Sequence, residues 1–371
     1  MSAQSQSPVG TPAPAPIDVD AVVLVGGQGT RLQPLTLSAA KPMLPTAGVP
    51  FLEHLLSRIH QVGIRHVVLG TSYKAETFTE YFGDGSAAGL DIEYLVEDEP
   101  LGTGGAIRNV AGTLRADTVM VFNGDILSGL DLSALLVTHH ENNADVTLHL
   151  VKVADPRAFG SVPTDPDGRV QAFLEKTDTP PTDQINAGCY VFRRSVLESI
   201  PAGRVVSVER ETFPGLLAAG ARVFGHVDAS YWLDLGTPAA FVRGSADLVT
   251  GIAPTDALPG PTGPALVLPG AAVDGDATVA GGSTIGRDVV VGPGAVIDGA
   301  VVFDSAVIGA GALVTRSVIG ANARIGDGAV ITDAVIGDGA VIGARCELIA
   351  GVRVWPGVEL PAGGVRFSAE G

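Results

Sequence analysis

A glycine-rich turn contains the residues with the clearest chemical meaning. The sequence VLVGGQGTRLQPLT ends an aliphatic run at Gly26 and Gly27 and places Arg31 four residues after the second glycine. Glycines let successive backbone N–H groups converge, and no Cβ keeps an anion away. The planar guanidinium of Arg31 suits phosphate oxygens, and Lys41 follows ten residues later in KPMLP. The spacing predicts a phosphate-binding loop, although a tight turn with a surface arginine would have similar residues.

Two common phosphate-binding motifs are excluded. Walker A requires G-x-x-x-x-G-K-[ST], and the chain contains no Gly-Lys pair. The dinucleotide-binding motif requires G-x-G-x-x-G, but Leu32 stands where the third glycine belongs when the count starts at Gly27. The loop therefore belongs to neither class.

Other charged residues lie in short motifs further along the chain. Asp125 ends VMVFNGD, just past a buried strand, and Asp234 in SYWLDLGTP precedes a Gly-Thr-Pro turn. Lysine is scarce, with four lysines against nineteen arginines, and Lys176 lies in FLEKT. Each has a simpler structural alternative: the aspartates would cap turns, and Lys176 would be a solvated lysine beside Glu175.

The order of these motifs resembles that of a known enzyme family. GGQGTRLQPLTLSAAKPMLP is similar to the signature of the sugar-nucleotide pyrophosphorylases, which join a nucleoside triphosphate to a sugar 1-phosphate. DEPLGTGGAI, FNGD, FLEKT, INAGCYVF and YWLDLGTP extend the resemblance over about residues 20–250. Within the family, these motifs resemble the members that use GTP and mannose 1-phosphate. The implied products are GDP-mannose and pyrophosphate.

The implied reaction determines which charges the site needs. An oxygen of the sugar phosphate, already ionised at neutral pH, attacks the α-phosphorus of the triphosphate in line, so no catalytic base or covalent nucleophile is required. The main obstacle is repulsion between two polyanions. One pair of like unit charges at ~4 Å costs roughly 4 kcal/mol at an effective dielectric constant of 20. Fixed cations and Mg²⁺ are therefore expected at the site.

The resemblance implies separate roles for the charged residues. Arg31 is expected to bind the β- and γ-phosphates that leave, and Lys41 the triphosphate near the reacting phosphorus. Lys176 is expected to bind the incoming sugar phosphate. Asp125 and Asp234 are expected to hold Mg²⁺, a hard ion that prefers oxygen ligands.

The resemblance also implies where the nucleoside and the sugar bind. PLGTGG (100–105) would bring backbone groups close to a purine, although a helix that starts near Thr103 would use the same residues. The expected nucleotide-binding residues are Leu24, Gly26, Gly27, Gly29, Thr30, Arg31, Lys41, Gly102, Thr103 and Asp125. The expected sugar-binding residues are Gly160, Glu175, Lys176 and Asn186. Carboxylate and amide groups are suitable partners for hydroxyls, but Asn186 before Ala-Gly would also suit a turn.

Composition limits the partners and the location. The formal net charge of -17 argues against nucleic acid or an anionic membrane as a partner. Cys189 and Cys346 match no metal-binding spacing and are expected to be reduced. Residues 1–19 lack the features of a signal peptide and predict a disordered tail. No window approaches the ~20 apolar residues of a membrane span, so we expect a cytoplasmic protein.

The next part of the chain, residues 20–252, alternates between strand-like and helix-like segments. PFLEHLLSRIHQVG predicts an amphipathic helix that ends at Gly63. The valine-rich runs that predict buried parallel strands are residues 20–25, 66–70, 118–122 and 145–151. This alternation predicts a Rossmann-like α/β domain, with a mostly parallel sheet flanked by helices and a ligand site at the carboxyl ends of its strands. The proline-rich residues 253–264 predict a linker.

The last part of the chain, residues 265–371, has a different period. Aliphatic residues recur every six positions, and the register shifts by five at Val302, Ile319 and Ile336. The predicted inward positions are Val267, Val273, Val279, Ile285, Val291, Ile297, Val302, Ile308, Val314, Ile319, Ile325, Ile331, Ile336, Ile342, Leu348, Val354 and Leu360. The resulting step of seventeen residues predicts three-sided coils, and a hexapeptide period is typical of a parallel β-helix, expected here to be left-handed. Its long flat faces suggest a homo-oligomer.

Three other functions share features with this sequence. Hexapeptide β-helices also occur in acyltransferases, which generally use a histidine beside the coils, but all seven histidines precede residue 253. A non-catalytic subunit that senses sugar nucleotides would be expected to lack a charged residue of the site, and none of the five is missing. A glucose-1-phosphate nucleotidyltransferase that uses UTP, dTTP or ATP differs only in substrate. Physical reasoning from the sequence therefore does not choose between these bases and sugars.

Overall fold

A computed structural model describes residues 14–97, 99–174 and 176–366. Residues 1–13 of the predicted tail lie outside this part of the chain. Residues 14–19, also assigned to the tail, contact the first domain. The backbone N–H of Ile17 donates to the carbonyl of Gly63 at 3.0 Å, and the guanidinium of Arg65 donates to the carbonyl of Pro14 at 2.6 Å.

Within the residues that the structure describes, the first domain consists of a central sheet, a few short strands and seven α-helices. Its strands are β1 (Asp20–Leu24), β2 (Pro45–Thr46), β3 (Val49–Pro50), β4 (His66–Thr71), β5 (Asp91–Val96), β6 (Thr118–Asn123), β7 (Ile126–Ser128), β8 (Val146–Lys152), β9 (Gln184–Arg193), β10 (Val223–Asp228) and β11 (Trp232–Asp234). Its helices are α1 (Phe51–Gln61), α2 (Ala75–Phe82), α3 (Gly102–Val110), α4 (Leu132–Glu141), α5 (Arg194–Ser199), α6 (Phe213–Ala218) and α7 (Pro238–Thr250).

The central sheet is mostly parallel, as predicted. Its strand order is β10-β8-β9-β6-β1-β4-β5, and only β9 runs antiparallel to its neighbours. The four predicted strands correspond to β1, β4, β6 and β8. The carboxyl ends of β6, β1, β4 and β5 lie side by side, because these four adjacent strands are parallel.

The predicted amphipathic helix corresponds to α1. The sequence predicts an apolar stripe of Phe51, Leu52, Leu55, Leu56, Ile59 and Val62. All of these residues are buried except Val62, which follows the last residue of the helix and is half-buried. The helix ends before Gly63, which has a φ of 96°. Glycine suits this position because other residues rarely adopt the left-handed region.

The second domain is a parallel β-helix. Its strands are β12 (Ala265–Val267), β13 (Ala272–Val273), β14 (Thr278–Ala280), β15 (Ser283–Ile285), β16 (Val290–Val291), β17 (Val296–Asp298), β18 (Val301–Val302), β19 (Val307–Ile308), β20 (Leu313–Thr315), β21 (Val318–Ile319), β22 (Arg324–Ile325), β23 (Val330–Thr332), β24 (Val335–Ile336), β25 (Val341–Ile342), β26 (Glu347–Leu348), β27 (Arg353–Val354) and β28 (Glu359–Leu360). They form three sheets, ordered β12-β15-β18-β21-β24-β27, β13-β16-β19-β22-β25-β28 and β14-β17-β20-β23-β26. This arrangement is consistent with the expected left-handed β-helix.

The predicted repeat matches the strand register. Val301 pairs with Val318 and Val318 with Val335, so the middle coils are seventeen residues long. The predicted inward residues from Ile285 to Val354 are buried. Val267 differs, because its side chain is 47% exposed in the first coil, which has no coil stacked above it.

The two domains are in contact along one face of the β-helix. No helix or strand lies between Thr250 and Ala265, where the linker was predicted. This segment contacts α1 through a hydrogen bond of 2.7 Å between the His54 ring and the Thr255 hydroxyl. Among the described residues, no helix is long and apolar enough to cross a membrane.

Candidate active site

The site lies at the carboxyl edge of the parallel strands, as the fold predicts. The chain leaves β1 at Gly26, β4 at Ser72 and β5 at Glu97, and Asp125 follows β6 by two residues. A separate strand pair, β7 with β11, sets Asp234 opposite Ile126. The backbone N–H of Leu235 then donates to the carbonyl of Asp125 at 3.1 Å. These contacts bring together two aspartates that are 109 residues apart in the sequence.

Four of the five predicted charged residues, all except Lys176, form one cluster. The Lys41 Nζ atom lies 2.7 Å from Asp125 Oδ2 and 3.8 Å from Asp234 Oδ1. The Arg31 guanidinium lies 4.0 Å from Asp234 Oδ2. The Lys41 side chain is 11% exposed, whereas that of Arg31 is 65% exposed. Lys41 is therefore a fixed cation, and Arg31 is free to meet a ligand from solvent.

The glycine-rich loop has the geometry expected of an anion-binding turn. Gly29 has a φ of 61° and begins a short 3-10 turn over Thr30–Leu32. The Thr36 hydroxyl donates to the Gly29 carbonyl at 3.0 Å, which ties the two ends of the turn together. Within the described ranges, no acceptor is found for the backbone N–H groups of residues 26–29. These N–H groups are available to phosphate oxygens.

Two adjoining cavities contain most of the predicted site residues. One has a volume of about 340 Å³ and includes Leu24, Gly26, Gly27, Lys41, Gly102 and Thr103 in its lining. The other has a volume of about 660 Å³ and includes Gly160, Lys176, Asn186 and Asp234. Both cavities are lined by Thr103, Asn123 and Asp125. The expected nucleotide and sugar residues thus separate into neighbouring cavities that meet at Asp125.

Three predicted nucleotide residues lie beside the smaller cavity rather than in its lining. Gly29, Thr30 and Arg31 are in the turn that follows Gly27. A Cβ atom at Gly29 would lie 3.0 Å from the Cβ of Lys41, so this glycine allows the turn to approach Lys41. Arg31 contacts the site through Asp234.

The predicted sugar-binding residues differ in whether their side chains already have hydrogen-bond partners within the protein. Lys176 is exposed at the larger cavity. The amide of Asn186 donates to the Tyr190 hydroxyl at 2.8 Å and accepts from the Gly188 N–H at 3.1 Å, so it also supports the local turn. Glu175 lies outside the described residues.

The segment PLGTGG forms the start of α3. Gly102 lines the smaller cavity, whereas the backbone N–H of Gly104 donates to the Val206 carbonyl at 2.8 Å. The Thr103 hydroxyl donates to Glu209 at 3.0 Å and accepts from the Val208 N–H at 2.9 Å. The later glycines therefore allow close packing of α3, whereas Gly102, Thr103 and Ala106 line the smaller cavity.

Sequence reasoning missed Glu97, which also lines the smaller cavity. One carboxylate oxygen, Oε2, accepts from the Leu101 N–H at 3.3 Å. The other, Oε1, is buried and has no hydrogen-bond partner in the described part of the chain. Burial raises the pKa of Glu97, although the bond from Leu101 opposes the shift. The signal in the sequence was a carboxylate directly after the strand-like segment DIEYLV.

Asp125 and Asp234 are the residues best placed to hold a cation. The Oδ1 atom of Asp234 is buried and, among the described residues, has no hydrogen-bond partner. The described ranges contain no group of three or more His, Cys, Asp or Glu residues that could hold a metal ion. A metal here would therefore take two protein carboxylates and obtain its other ligands from substrate or water, which suits Mg²⁺.

Comparisons with known proteins show the family to which the chain belongs. A 66% identical relative from Mycobacterium tuberculosis (strain ATCC 25618 / H37Rv), named mannose-1-phosphate guanylyltransferase, matches over 95% of this chain and 98% of its own length. Mannose-1-phosphate guanylyltransferase 1 of Arabidopsis thaliana is 33% identical over 74% of this chain and 76% of its own. The crystal structure of HddC from Yersinia pseudotuberculosis complexed with GMP-PN is similar at 29% identity and a TM-score of 0.55, covering 62% of this chain and 99% of HddC.

Two family models also match. The GMPPB C-terminal domain matches residues 261–362, which correspond to the β-helix. The nucleotidyl transferase model matches residues 20–251, which contain both cavities and the charged cluster. This chain belongs to the nucleotidyl transferase family.

Proposed function

We propose that this enzyme transfers GMP from GTP to α-D-mannose 1-phosphate and releases pyrophosphate. The observation that carries the proposal is the pair of adjoining cavities that meet at Asp125, beside the Lys41 ammonium. The name of the 66% identical relative from Mycobacterium tuberculosis supports the choice of GTP and mannose 1-phosphate.

The reaction is an in-line displacement at phosphorus. A phosphate oxygen of mannose 1-phosphate, in the larger cavity, forms a bond to the α-phosphorus of GTP in the smaller one. The bond between the α-phosphorus and the bridging oxygen of the β-phosphate breaks, and pyrophosphate leaves with that electron pair. The two phosphates repel each other, so the main task of the site is to neutralise and align them.

Three cations of the site divide that task. Lys176, exposed at the larger cavity, binds the sugar phosphate, and Lys41 binds the triphosphate near the reacting phosphorus. Arg31 binds the β- and γ-phosphates together with the free N–H groups of residues 26–29. Because Lys41 is nearly buried, its charge is weakly screened by solvent and acts strongly on a bound phosphate.

Enzymes of this family generally use a divalent metal ion, and we propose Mg²⁺ for this one. Asp125 and Asp234 would hold it, which agrees with the buried Oδ1 atom of Asp234, since that atom has no hydrogen-bond partner among the described residues. A bound Mg²⁺ would neutralise negative charge on the phosphates during the displacement.

Glu97 is the residue that favours guanine. The N1–H and N2 amino groups of guanine are adjacent donors, which suit a carboxylate with one oxygen that lacks a partner. Adenine has an acceptor at N1, and uracil and thymine have a single donor between two carbonyl oxygens. Adenine would place its N1 acceptor, and uracil or thymine a carbonyl oxygen, against the carboxylate, whereas guanine presents two donors side by side.

Two alternative functions differ from this one, the first in its substrates and the second in lacking catalysis. A glucose-1-phosphate nucleotidyltransferase would use the same charged residues and would differ only in the base and the sugar that it binds. A non-catalytic sensing subunit is disfavoured because Arg31, Lys41, Asp125, Lys176 and Asp234 all lie at the site.

Steady-state rates provide the test of this function. Pyrophosphate release would be measured with GTP, ATP, UTP and dTTP, each combined with mannose 1-phosphate and with glucose 1-phosphate, in the presence of Mg²⁺. We expect the highest kcat/KM for GTP with mannose 1-phosphate. A higher kcat/KM for any glucose 1-phosphate pair would contradict the proposed substrates, and no turnover with any pair would support the sensing subunit.

The variant Glu97→Gln tests the choice of base. Glutamine replaces one acceptor by a donor, so its side chain opposes one of the two guanine donors. We expect kcat/KM for GTP to fall about tenfold or more, because such a loss corresponds to about 1.4 kcal/mol, while the KM for mannose 1-phosphate stays within about twofold. An unchanged preference for GTP would remove Glu97 from base recognition. Glu99→Gln, on the exposed surface nearby, is the matched control.

The quaternary state and the location remain predictions. Val290, Val307 and Leu313 are exposed on β-helix faces that point away from the first domain, which supports the proposed homo-oligomer. Light scattering coupled to size-exclusion chromatography would test it, and a monomer at micromolar concentration would contradict it. The cytoplasmic location expected from the sequence belongs to the same proposal.

A further inference from the structure

The segment between the glycine turn and β2 rests on the β-helix. Residues 29–44 have no α-helix or long strand, and only three short 3-10 turns are found there, at Thr30–Leu32, Leu35–Leu37 and Lys41–Met43. We call residues 29–44 the phosphate loop, because it includes both Arg31 and Lys41. With so little regular structure of its own, the loop depends on its surroundings for a defined conformation.

The apolar side of the phosphate loop is buried against one sheet of the second domain. Three leucines of the loop and three valines of the sheet belong to one cluster, and all six are buried. These residues are Leu32, Leu35, Leu44, Val301, Val318 and Val335. The valines lie on β18, β21 and β24, so this face of the β-helix is covered by the phosphate loop together with Phe241 and Val242 of α7 instead of solvent.

Two polar contacts join the same surfaces. The Ser38 hydroxyl donates to Asp338 Oδ2 at 2.5 Å, and the Arg353 guanidinium donates to the carbonyl of Gln33 at 2.7 Å. Both contacts connect residues at least 300 positions apart in the sequence. They lie on the loop between Arg31 and Lys41, and therefore act on the spacing of these two cations.

We propose that the β-helix holds the phosphate loop in its catalytic conformation, with Arg353 and Asp338 as positioning residues that act through Gln33 and Ser38. The inference rests on the proposed function, because it concerns the binding of GTP. Displacement of a phosphate-binding cation by about 1 Å can lower a rate by about a hundredfold. The second domain is thus part of the machinery that aligns the nucleotide, in addition to any role in assembly.

A double variant, Ser38→Ala with Arg353→Ala, removes both polar contacts from the full-length chain. We expect kcat/KM for GTP to fall about tenfold, through a higher KM for GTP and a lower kcat. The KM for mannose 1-phosphate should change less than about twofold, because the lining of the larger cavity includes no residue of the phosphate loop. The conservative pair Ser38→Thr with Arg353→Lys retains both donors and should recover most of the activity.

The matched control is Ser133→Ala with Arg324→Ala. Both residues are exposed, Ser133 on α4 and Arg324 on the β22 sheet, away from the loop. Thermal unfolding of both double variants should stay close to that of the unmodified chain, because all the changed side chains are at the surface. An equal loss of kcat/KM in the control, or no loss in the Ser38/Arg353 variant, would overturn the proposal.

Hydrogen exchange gives a measurement that does not depend on turnover. Amides of residues 29–44 should exchange faster in the Ser38/Arg353 variant than in the control, whereas amides of β1 and β6 should not change. If the unmodified chain formed no GDP-mannose, the proposed function would be wrong. The hydrogen-exchange rates would then be the only test of whether the β-helix positions the phosphate loop. Equal exchange in variant and control would then overturn that positioning role.

Discussion

Single residues determine the electrostatics of this site, because the chain has few cations to use. Asp125, at the junction of the cavities, and Asp234, in the lining of the larger one, would repel each other and the substrates without compensation. The Lys41 ammonium lies within 4 Å of both carboxylates, and the Arg31 guanidinium lies 4.0 Å from one of them. The positive and negative charges of the site therefore compensate each other, and the loss of one charged side chain leaves its partner uncompensated.

Asp125→Asn tests this balance. The amide keeps the shape of the side chain but loses its charge, so it weakens a proposed metal ligand and the ion pair with Lys41. We expect kcat to fall by about two orders of magnitude or more, while thermal unfolding changes little because the side chain is only half-buried.

The measurement is pyrophosphate release with GTP and mannose 1-phosphate as a function of Mg²⁺ concentration. The variant should need more Mg²⁺ to reach its own maximal rate. Asp276→Asn, on the exposed first coil of the β-helix, provides the control. Near-normal activity of Asp125→Asn at low Mg²⁺ would exclude Asp125 as a metal ligand.

At the level of strands and turns, local patterns predicted much of the fold. The valine-rich runs of β1, β4, β6 and β8 are buried on both faces, so their composition alone identified them. DIEYLV, which forms β5, lies at the sheet edge, and its exposed Asp91 and half-buried Glu93 break the apolar run. The strand was missed for this reason, and Glu97 was missed with it.

The β-helix was predicted most completely because its pattern repeats. Inward residues recur in every coil, so one irregular position does not hide the period. In contrast, the pairing of β7 with β11 brings Asp234 to Asp125 across more than a hundred residues. Nothing local in either motif shows this contact. Only the resemblance to a family indicated that the two aspartates act together.

Gly29→Ala tests the conformation of the turn. Gly29 has a φ of 61°, and an added Cβ would lie 2.9 Å from the Thr36 side chain and 3.0 Å from Lys41. A left-handed conformation costs alanine about 1 kcal/mol, so the turn should shift and displace Lys41. We expect the KM for GTP to rise about tenfold.

The control for this variant is Gly112→Ala. Gly112 is exposed, and a Cβ there would meet no atom within 4 Å. Isothermal titration with GTP would show the same ranking as the kinetics. Equal affinities for the two variants would mean that the turn tolerates a side chain, and that Gly29 is not needed for nucleotide binding.

Across the whole molecule, a fall in pH has two opposite effects on stability, one through the many carboxylates and one through buried histidines. The net charge of -17 becomes smaller as the pH falls, which reduces repulsion between carboxylates. However, burial lowers the pKa of His149 to about 4, and burial, with His140 nearby, lowers that of His139 to about 4. An unfolded histidine has a pKa near 6.5, so it takes up a proton at a higher pH than these folded residues do.

This difference predicts that the free energy of unfolding falls as the pH decreases from about 6.5 to about 4, because the unfolded chain binds more protons in that range. The pKa difference corresponds to at most about 3 kcal/mol for each histidine. Urea unfolding between pH 7.5 and 4.5 would measure the slope. Both ring nitrogens of His149 lack a hydrogen-bond partner among the described residues, so His149→Leu should fold and show a smaller slope. An identical slope in the two proteins would show that His149 is protonated alike in the folded and unfolded states, and that the acid sensitivity has another source.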